Sequence, residues 1–138
     1  MTKFKIVLLA VFAGLGSLEA NLGDRSERID DIYGNLVQRS LRDDGTVSVL
    51  YHKDQYLYLV IFANDRSISE SYSHMNGKDL SEKEITKFLK GNAAGGTWIP
   101  LTSKERRFKR SDNGAEATYG STTGRRALTV REVGRHGD

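Results

Sequence analysis

The chain has 138 residues, a formal net charge of +3 and no cysteine. That length suits one ordinary domain with a single core. The missing thiols exclude a disulfide scaffold, a thiolate zinc site, a cysteine nucleophile and lipid attachment at a cysteine.

Lys3 and Lys5 precede Ile6 to Gly16, an uncharged and mostly apolar run, and Ser17-Leu18-Glu19-Ala20 closes it on a small residue. This pattern predicts a cleaved export signal over 1–20, although Leu18 is larger than the preferred residue two positions before the bond. The run is shorter than the roughly 20 residues a spanning helix needs, so no stable membrane span is expected after cleavage. A single domain over 21–138 is expected to follow, periplasmic or extracellular, with 134–138 as a frayed tail.

Residues 24–37 predict a short helix. Asp24 with Glu27 has the reciprocal capping spacing, Ile29, Ile32, Tyr33 and Leu36 recur at helical intervals, and Gly34 is placed to end the regular part near Tyr33. Three strands are expected next. Thr46 to His52 alternates, Gln55 to Ala63 is apolar on both sides and predicts a central strand covered on both faces, and Arg66 to Tyr72 is polar enough for an edge. Turns at Lys53-Asp54 and Asn64-Asp65 predict that Tyr51 faces Tyr56 and that Leu57 faces Tyr72. That register sets Glu70 opposite Leu59, at the sheet margin in water.

LSEKEITKFLKG predicts the second helix. Ser81 and Glu84 form a capping box, Leu80 and Ile85 have the staple spacing, Ile85, Phe88 and Leu89 make the buried stripe, and Gly91 is placed to end it. In the stretch that follows, Ala93 to Gly96 turn the chain closely past the sheet, Trp98 lays its ring on the core, and Pro100 stiffens the entry to the next strand. The alternative for Trp98 is the rim of a ligand site. Three further strands are expected over 104–110, 115–120 and 126–133. An Asn113-Gly114 turn would set Phe108 opposite Tyr119. The expected fold class is therefore α+β, antiparallel sheet in the order α-βββ-α-βββ, with two short helices packed on it and one sheet or two layers left open. No strong tandem repeat is visible.

Catalytic patterns are sparse. His52, His74 and His136 lie far apart with no second ligand at metal-motif spacing, no serine sits in a nucleophile elbow, and the glycines at 91, 95 and 96 follow a helix where a phosphate cradle precedes one. No metal or cofactor is expected. Glu70 is the one carboxylate to inspect for acid–base work. Charge is uneven: residues 102–138 are basic, and 21–101 are slightly acidic. KERRFKR places Lys104, Arg106, Arg107, Lys109 and Arg110 on one strand, a candidate surface for an anionic polymer, a nucleic acid or a partner. Basic edge strands also guard against aggregation, and that reading is preferred.

SERIDDIYGNLV, YLVIFANDRSISESY and LSEKEITKFLKGNAAGGTW together resemble a family of short exported bacterial proteins of unknown function. The likeness spans most of 21–138: a helix ending in Tyr-Gly, an apolar strand, an acidic-capped helix and an Asn-x-x-Gly-Gly-x-Trp turn. It implies export and one shared fold, and no activity. Residues 24–72 are also similar, at the level of fold, to small outer-membrane assembly lipoproteins of the SmpA/BamE type and to beta-lactamase-inhibitor-like modules, which bind proteins. The chain lacks their lipidated cysteine, and its last three strands exceed their pattern. The expected function is a non-catalytic module that binds another envelope macromolecule, most simply a protein. The alternatives are an anionic-polymer binder acting through the 104–110 strand and a small hydrolase built on dispersed carboxylates.

Overall fold

The computed structural model describes residues 20–102, 106–121 and 125–133. Residues 1–19 of the expected 1–20 signal, Lys104 and the 134–138 tail lie outside the described residues, while Ala20 is described and buried. Helix α1 is Ser26–Tyr33, followed by β1 (Leu36–Leu41), β2 (Val47–Lys53), β3 (Tyr56–Ala63) and β4 (Arg66–His74). Helix α2 is Glu82–Gly91, followed by β5 (Trp98–Pro100), β6 (Arg106–Arg110), β7 (Ala115–Ser121) and β8 (Arg126–Glu132). All strands join one antiparallel sheet in the order β1-β2-β3-β4-β8-β7-β6-β5.

The expected order α-βββ-α-βββ is thus corrected to α-ββββ-α-ββββ in a single layer of sheet. The two missed strands are the two sheet edges. β1 is exposed along its whole length, so no burial pressure writes an alternation into LVQRSL. β5 has three residues, too few for a period, and Pro100 is tolerated there because an edge strand has no second neighbour to donate to. The correction also shows a repeat of architecture. Each half is a helix and a four-stranded meander, and the halves meet through the antiparallel β4–β8 pair. The sequences of the halves do not repeat, because the same elements are filled differently: β3 reads YLYLVIFA and β7 reads AEATYGS.

Both helices lie on one face of the sheet. Ile29 and Tyr33 of α1 and Ile85, Phe88 and Leu89 of α2 are buried against Val49, Tyr51, Tyr58, Val60, Tyr72, Leu128 and Val130. Tyr58 links them: its ring stacks on Tyr33 at 4.0 Å and meets Phe88 edge-on at 6.3 Å, while Phe88 also stacks on Tyr72 at 4.4 Å. Such ring pairs add about 0.5–1.5 kcal/mol each beyond the area they bury.

The capping box of α2 forms as read: Ser81 Oγ accepts from the Glu84 amide at 3.1 Å, and Glu84 Oε1 accepts from the Ser81 amide at 2.7 Å. That of α1 does not. Its N-cap is Arg25, and Asp24 instead accepts from the Asn21 amide at 2.8 Å, tying down the segment that enters the fold. Gly34 ends α1 with φ 77°. Trp98 does pin a helix to the sheet. Its indole Nε1 donates to the Leu89 carbonyl at 2.6 Å, a second donor to an oxygen that the Asn92 amide also reaches at 3.0 Å.

Two hairpin registers differ from expectation by two residues. Lys53 pairs with Tyr56, so the turn is Asp54-Gln55 and Tyr51 faces Tyr58. Phe108 faces Ala117 because four residues, 111–114, make the connection. A shift of two leaves every side chain on its expected face. The third error is of one residue and has larger consequences. Asn64-Asp65 form the predicted turn, with φ 51° and 67°, but a bulge between the Phe62–Ser67 and Ile61–Ser69 pairs inserts a residue into β4. Beyond it Glu70 faces Val60 and Tyr72 faces Tyr58, and Glu70 turns from the predicted wet margin into the helix-covered core.

Candidate functional site

The face of the sheet opposite the helices carries the most organised surface of the molecule. Pairing rows cross it from edge to edge. One runs Gln38–Leu50–Leu59–Ser71–Thr129–Thr118–Arg107. The next runs Ser40–Ser48–Ile61–Ser69–Arg131–Glu116–Lys109–Ile99. A third includes His52, Leu57 and Ser73. Aliphatic side chains stand on β2 and β3, small hydroxyls on β4 and β8, and charges on β8, β7 and β6.

The expectation that Gln55 to Ala63 is covered on both faces is therefore corrected. The core face of β3 is buried, but Leu57 and Ile61 are half-buried and Leu59 is 38% exposed. No helix among the described residues lies over them. Beside them the small side chains of β4 and β8 leave a hollow of about 350 Å³, walled by Leu50, Leu57 and Leu59, floored by Ser71, Ser73 and Ala127, and rimmed by Arg125. The Ser71 and Thr129 hydroxyls share a hydrogen bond of 2.9 Å, and Arg125 is held in place by donating to the His74 carbonyl at 2.6 Å.

The basic strand does not present its cations together. Arg106 and Arg110 lie on the helix side. Arg106 makes a two-pronged contact with Glu82 in the first turn of α2, with Nη2 donating to Oε1 at 3.0 Å. This holds the Glu82 carboxyl below its ordinary range. Arg110 donates to the Asn92 carbonyl that ends α2, at 3.1 Å, and to Asp112 at 2.9 Å. The two arginines thus grip α2 at both ends. Arg107 and Lys109 fall on the open face, in rows with Thr118 and Glu116. Trp98 is half-buried against the core.

Two acids carry shifted ionisation. Glu70 is 1% exposed. Burial raises its carboxyl from 4.5 to about 7, against the lowering effect of hydrogen bonds from Ser67 (2.8 Å) and Tyr72 (2.9 Å). The Tyr72 hydroxyl in turn accepts from Asn92 Nδ2 at 2.8 Å, and Asn92 Oδ1 accepts from the Leu22 amide at 2.8 Å. Glu70 therefore ties β4, the end of α2 and the entering segment together. It lines neither the hollow above nor the cleft below.

Glu84 behaves in the opposite way. Burial pushes its carboxyl up, but the Ser81 amide, the Tyr56 hydroxyl and His74 outweigh that and hold it at about 2. His74 Nε2 lies 3.0 Å from Oε1. A His–carboxylate pair beside a tyrosine has the members of an acid–base centre, yet this carboxylate already serves three partners and stays ionised, which makes it a helix cap and a poor base. It sits at the back of an open cleft of about 720 Å³, which Lys78, Lys83 and Lys87 also line. Neither the hollow nor the cleft was legible beforehand. The only advance signal was the double-sided apolarity of β3, which was read as burial.

No family model matches the chain, and no curated protein matches it. Among solved structures, the fold is similar to part of a cysteine-rich secretory protein from Staphylococcus aureus subsp. aureus Mu50, with a TM-score of 0.52 and 10% identity over 81% of this chain. The match covers 44% of that protein, and at this identity the likeness concerns the fold alone. No helix among the described residues is long and apolar enough to cross a membrane.

Proposed function

We propose that this chain is an exported, non-catalytic domain that binds another protein of the cell envelope on the open face of its sheet. The observation that carries the reading is the arrangement of the pairing rows: exposed leucines, then a hydroxyl-floored hollow, then a charged field in which Arg107, Lys109 and Arg131 outnumber Glu116. The matching partner surface places aliphatic side chains over Leu57 and Leu59 and carboxylates over the cations of β6 and β8. With strands about 4.8 Å apart and about 3.3 Å of rise per residue, eight strands offer roughly 600–700 Å² of face. A standard interface uses about 800 Å² per partner, so the face supplies most of one.

The other two readings draw less support. Polymer binding along 104–110 needs its arginines outward, and Arg106 and Arg110 are spent on α2. Hydrolysis needs an acid in a cleft beside a second titratable group. Glu70 lies in the core, and the acceptor sites of Glu84 are occupied.

The test compares the parent protein with a Leu57→Asp/Leu59→Asp variant, each incubated with envelope extract. The captured protein is then purified, and amide exchange is followed in the complex. Binding that is lost in the double variant, with exchange slowed in β3 and β8 of the parent, supports the reading. Capture of the same protein by both, or protection confined to the helix side, overturns it.

A further inference from the structure

The hollow on the open face has a cation at its rim and no acid in its lining. Arg125 donates from Nη1 to the His74 carbonyl at 2.6 Å and to the Met75 carbonyl at 3.3 Å. Those two acceptors use both protons of Nη1 and fix the guanidinium against the end of β4. They are neutral, so its charge is not balanced by them. Its side edge, Nε with Nη2, has no partner among the described residues. Two parallel N–H groups on that edge are the fork that matches a carboxylate. Neighbouring arginines are placed differently. Arg126 pairs with Asp79 at 3.1 Å, and Arg131 lies 3.9 Å from Glu116.

Ser73 adds a second unused group. It is 6% exposed and lines the floor, and its hydroxyl has no hydrogen-bond partner among the described residues. The Ser71 hydroxyl, in contrast, is shared with Thr129 at 2.9 Å. Nearly buried hydroxyls are normally paired, so the partner of Ser73 is whatever fills the hollow.

The walls set the rest of the ligand. Leu50, Leu57 and Leu59 are aliphatic, and the volume of about 350 Å³ is at the small end of ligand sites, which run from about 300 to 1,000 Å³. The hollow opens along the sheet, where Leu59 is 38% exposed, so a long acyl chain would lie mostly in water. The matching chemistry is a carboxylate joined closely to a short aliphatic group. A protein that ends in leucine, valine or isoleucine carries both on one residue.

We propose that the hollow takes the C-terminal residue of the bound protein. Its aliphatic side chain lies between Leu50, Leu57 and Leu59, and its carboxylate accepts from the Nε–Nη2 edge of Arg125 and from the Ser73 hydroxyl. Arg125 is already tethered to β4, so little side-chain freedom is lost on binding. This inference deepens the reading of the open face as a protein-binding surface and rests on it.

The probes are the acetylated hexapeptide Gly-Ser-Gly-Ser-Val-Leu as free acid, the same peptide as C-terminal amide, a free acid ending in glycine, and 4-methylpentanoate. Amide chemical shifts of the parent protein are followed as each is added. The free acid should bind and shift Leu57, Ser71, Ser73 and Arg125. The amide and the glycine peptide should each bind at least tenfold more weakly. Arg125→Gln should lose at least tenfold for the free acid and stay within twofold for the amide, while Arg131→Gln stays within twofold for both. The acid–amide comparison uses the parent alone, so it stands whether or not the variant folds. Equal binding of acid and amide, no binding of the free acid, or shifts confined to the helix side overturns the proposal. So does 4-methylpentanoate binding as tightly as the peptide, which would mark a site for small free acids. Capture from envelope extract separates this inference from the one it rests on. Capture retained by Arg125→Gln but lost by Leu57→Asp/Leu59→Asp overturns the C-terminal site and leaves the protein-binding face standing.

Discussion

Replacing Glu70 with glutamine isolates the energetic consequence of the β4 bulge. The bulge puts the carboxyl in the core, where burial raises it from 4.5 to about 7. The folded protein then holds the proton up to about pH 7, whereas the unfolded chain releases it near 4.5. Between those values the folded state binds more protons, so stability falls as pH rises. The contribution is fully present below pH 4.5 and is lost as pH passes about 7. The gap corresponds to about 3 kcal/mol in total, of which about 2–3 kcal/mol lies between pH 5 and pH 8. Glutamine mimics the protonated acid: its oxygen accepts from one of Ser67 and Tyr72, and its amide replaces the acid proton at the other. Urea unfolding of parent and Glu70→Gln at pH 5, 6, 7 and 8 reads the difference, and groups common to both proteins cancel. The variant should gain on the parent steadily and lead it by about 2–3 kcal/mol more at pH 8 than at pH 5. A difference that stays constant with pH, or shrinks as pH rises, refutes the reasoning.

Acid should expose a second group. Glu84 is held at about 2, so its contribution is present above 4.5 and lost as pH falls through about 2; Glu84→Gln should flatten the acid limb of the unfolding curve below pH 4.5 and leave the limb above it unchanged. Ser81→Ala removes the reciprocal cap and should cost about 1 kcal/mol by urea denaturation at pH 7. Gly34→Ala forces a Cβ onto φ 77° and should cost roughly 1–2 kcal/mol, although nothing lies within 4 Å of that Cβ. Leu59→Asp should cost no more than about 1 kcal/mol by urea denaturation, because the side chain stands on the open face at 38% exposure, while abolishing capture of the envelope partner.

Legibility of the fold tracked burial. The strands β2, β3, β7 and β8 were read close to their true bounds because each buries one side under the helices, whereas β4, read over 66–72 as polar enough for an edge, lies between β3 and β8 in the middle of the sheet. The second helix was read to its cap, since Ser81, Glu84 and Leu80 all act within a few residues of one another. β1 was missed because a strand with both sides in water leaves no periodic mark. The candidate site was less legible still. Leu57, Leu59 and Ile61 look the same in a sequence whether a second layer covers them or not. The lysines of the cleft are spread over ten positions of chain, and only the end of β4 folding back on α2 brings Lys78 beside Lys83 and Lys87.

The sequence by itself determined the elements whose causes are local: the cap and stripe of α2, the Asn64-Asp65 turn and the parity of most strand faces. Only the tertiary structure decided that the halves join through β4 and β8 into one sheet, that one face of it stays open, and that Glu70 points inward. The physical reason is range. A cap or a turn is settled by neighbours a few bonds away, whereas the single extra residue in β4 is fixed by what β3, β8 and α2 pack around it, and it reverses the direction of every side chain that follows.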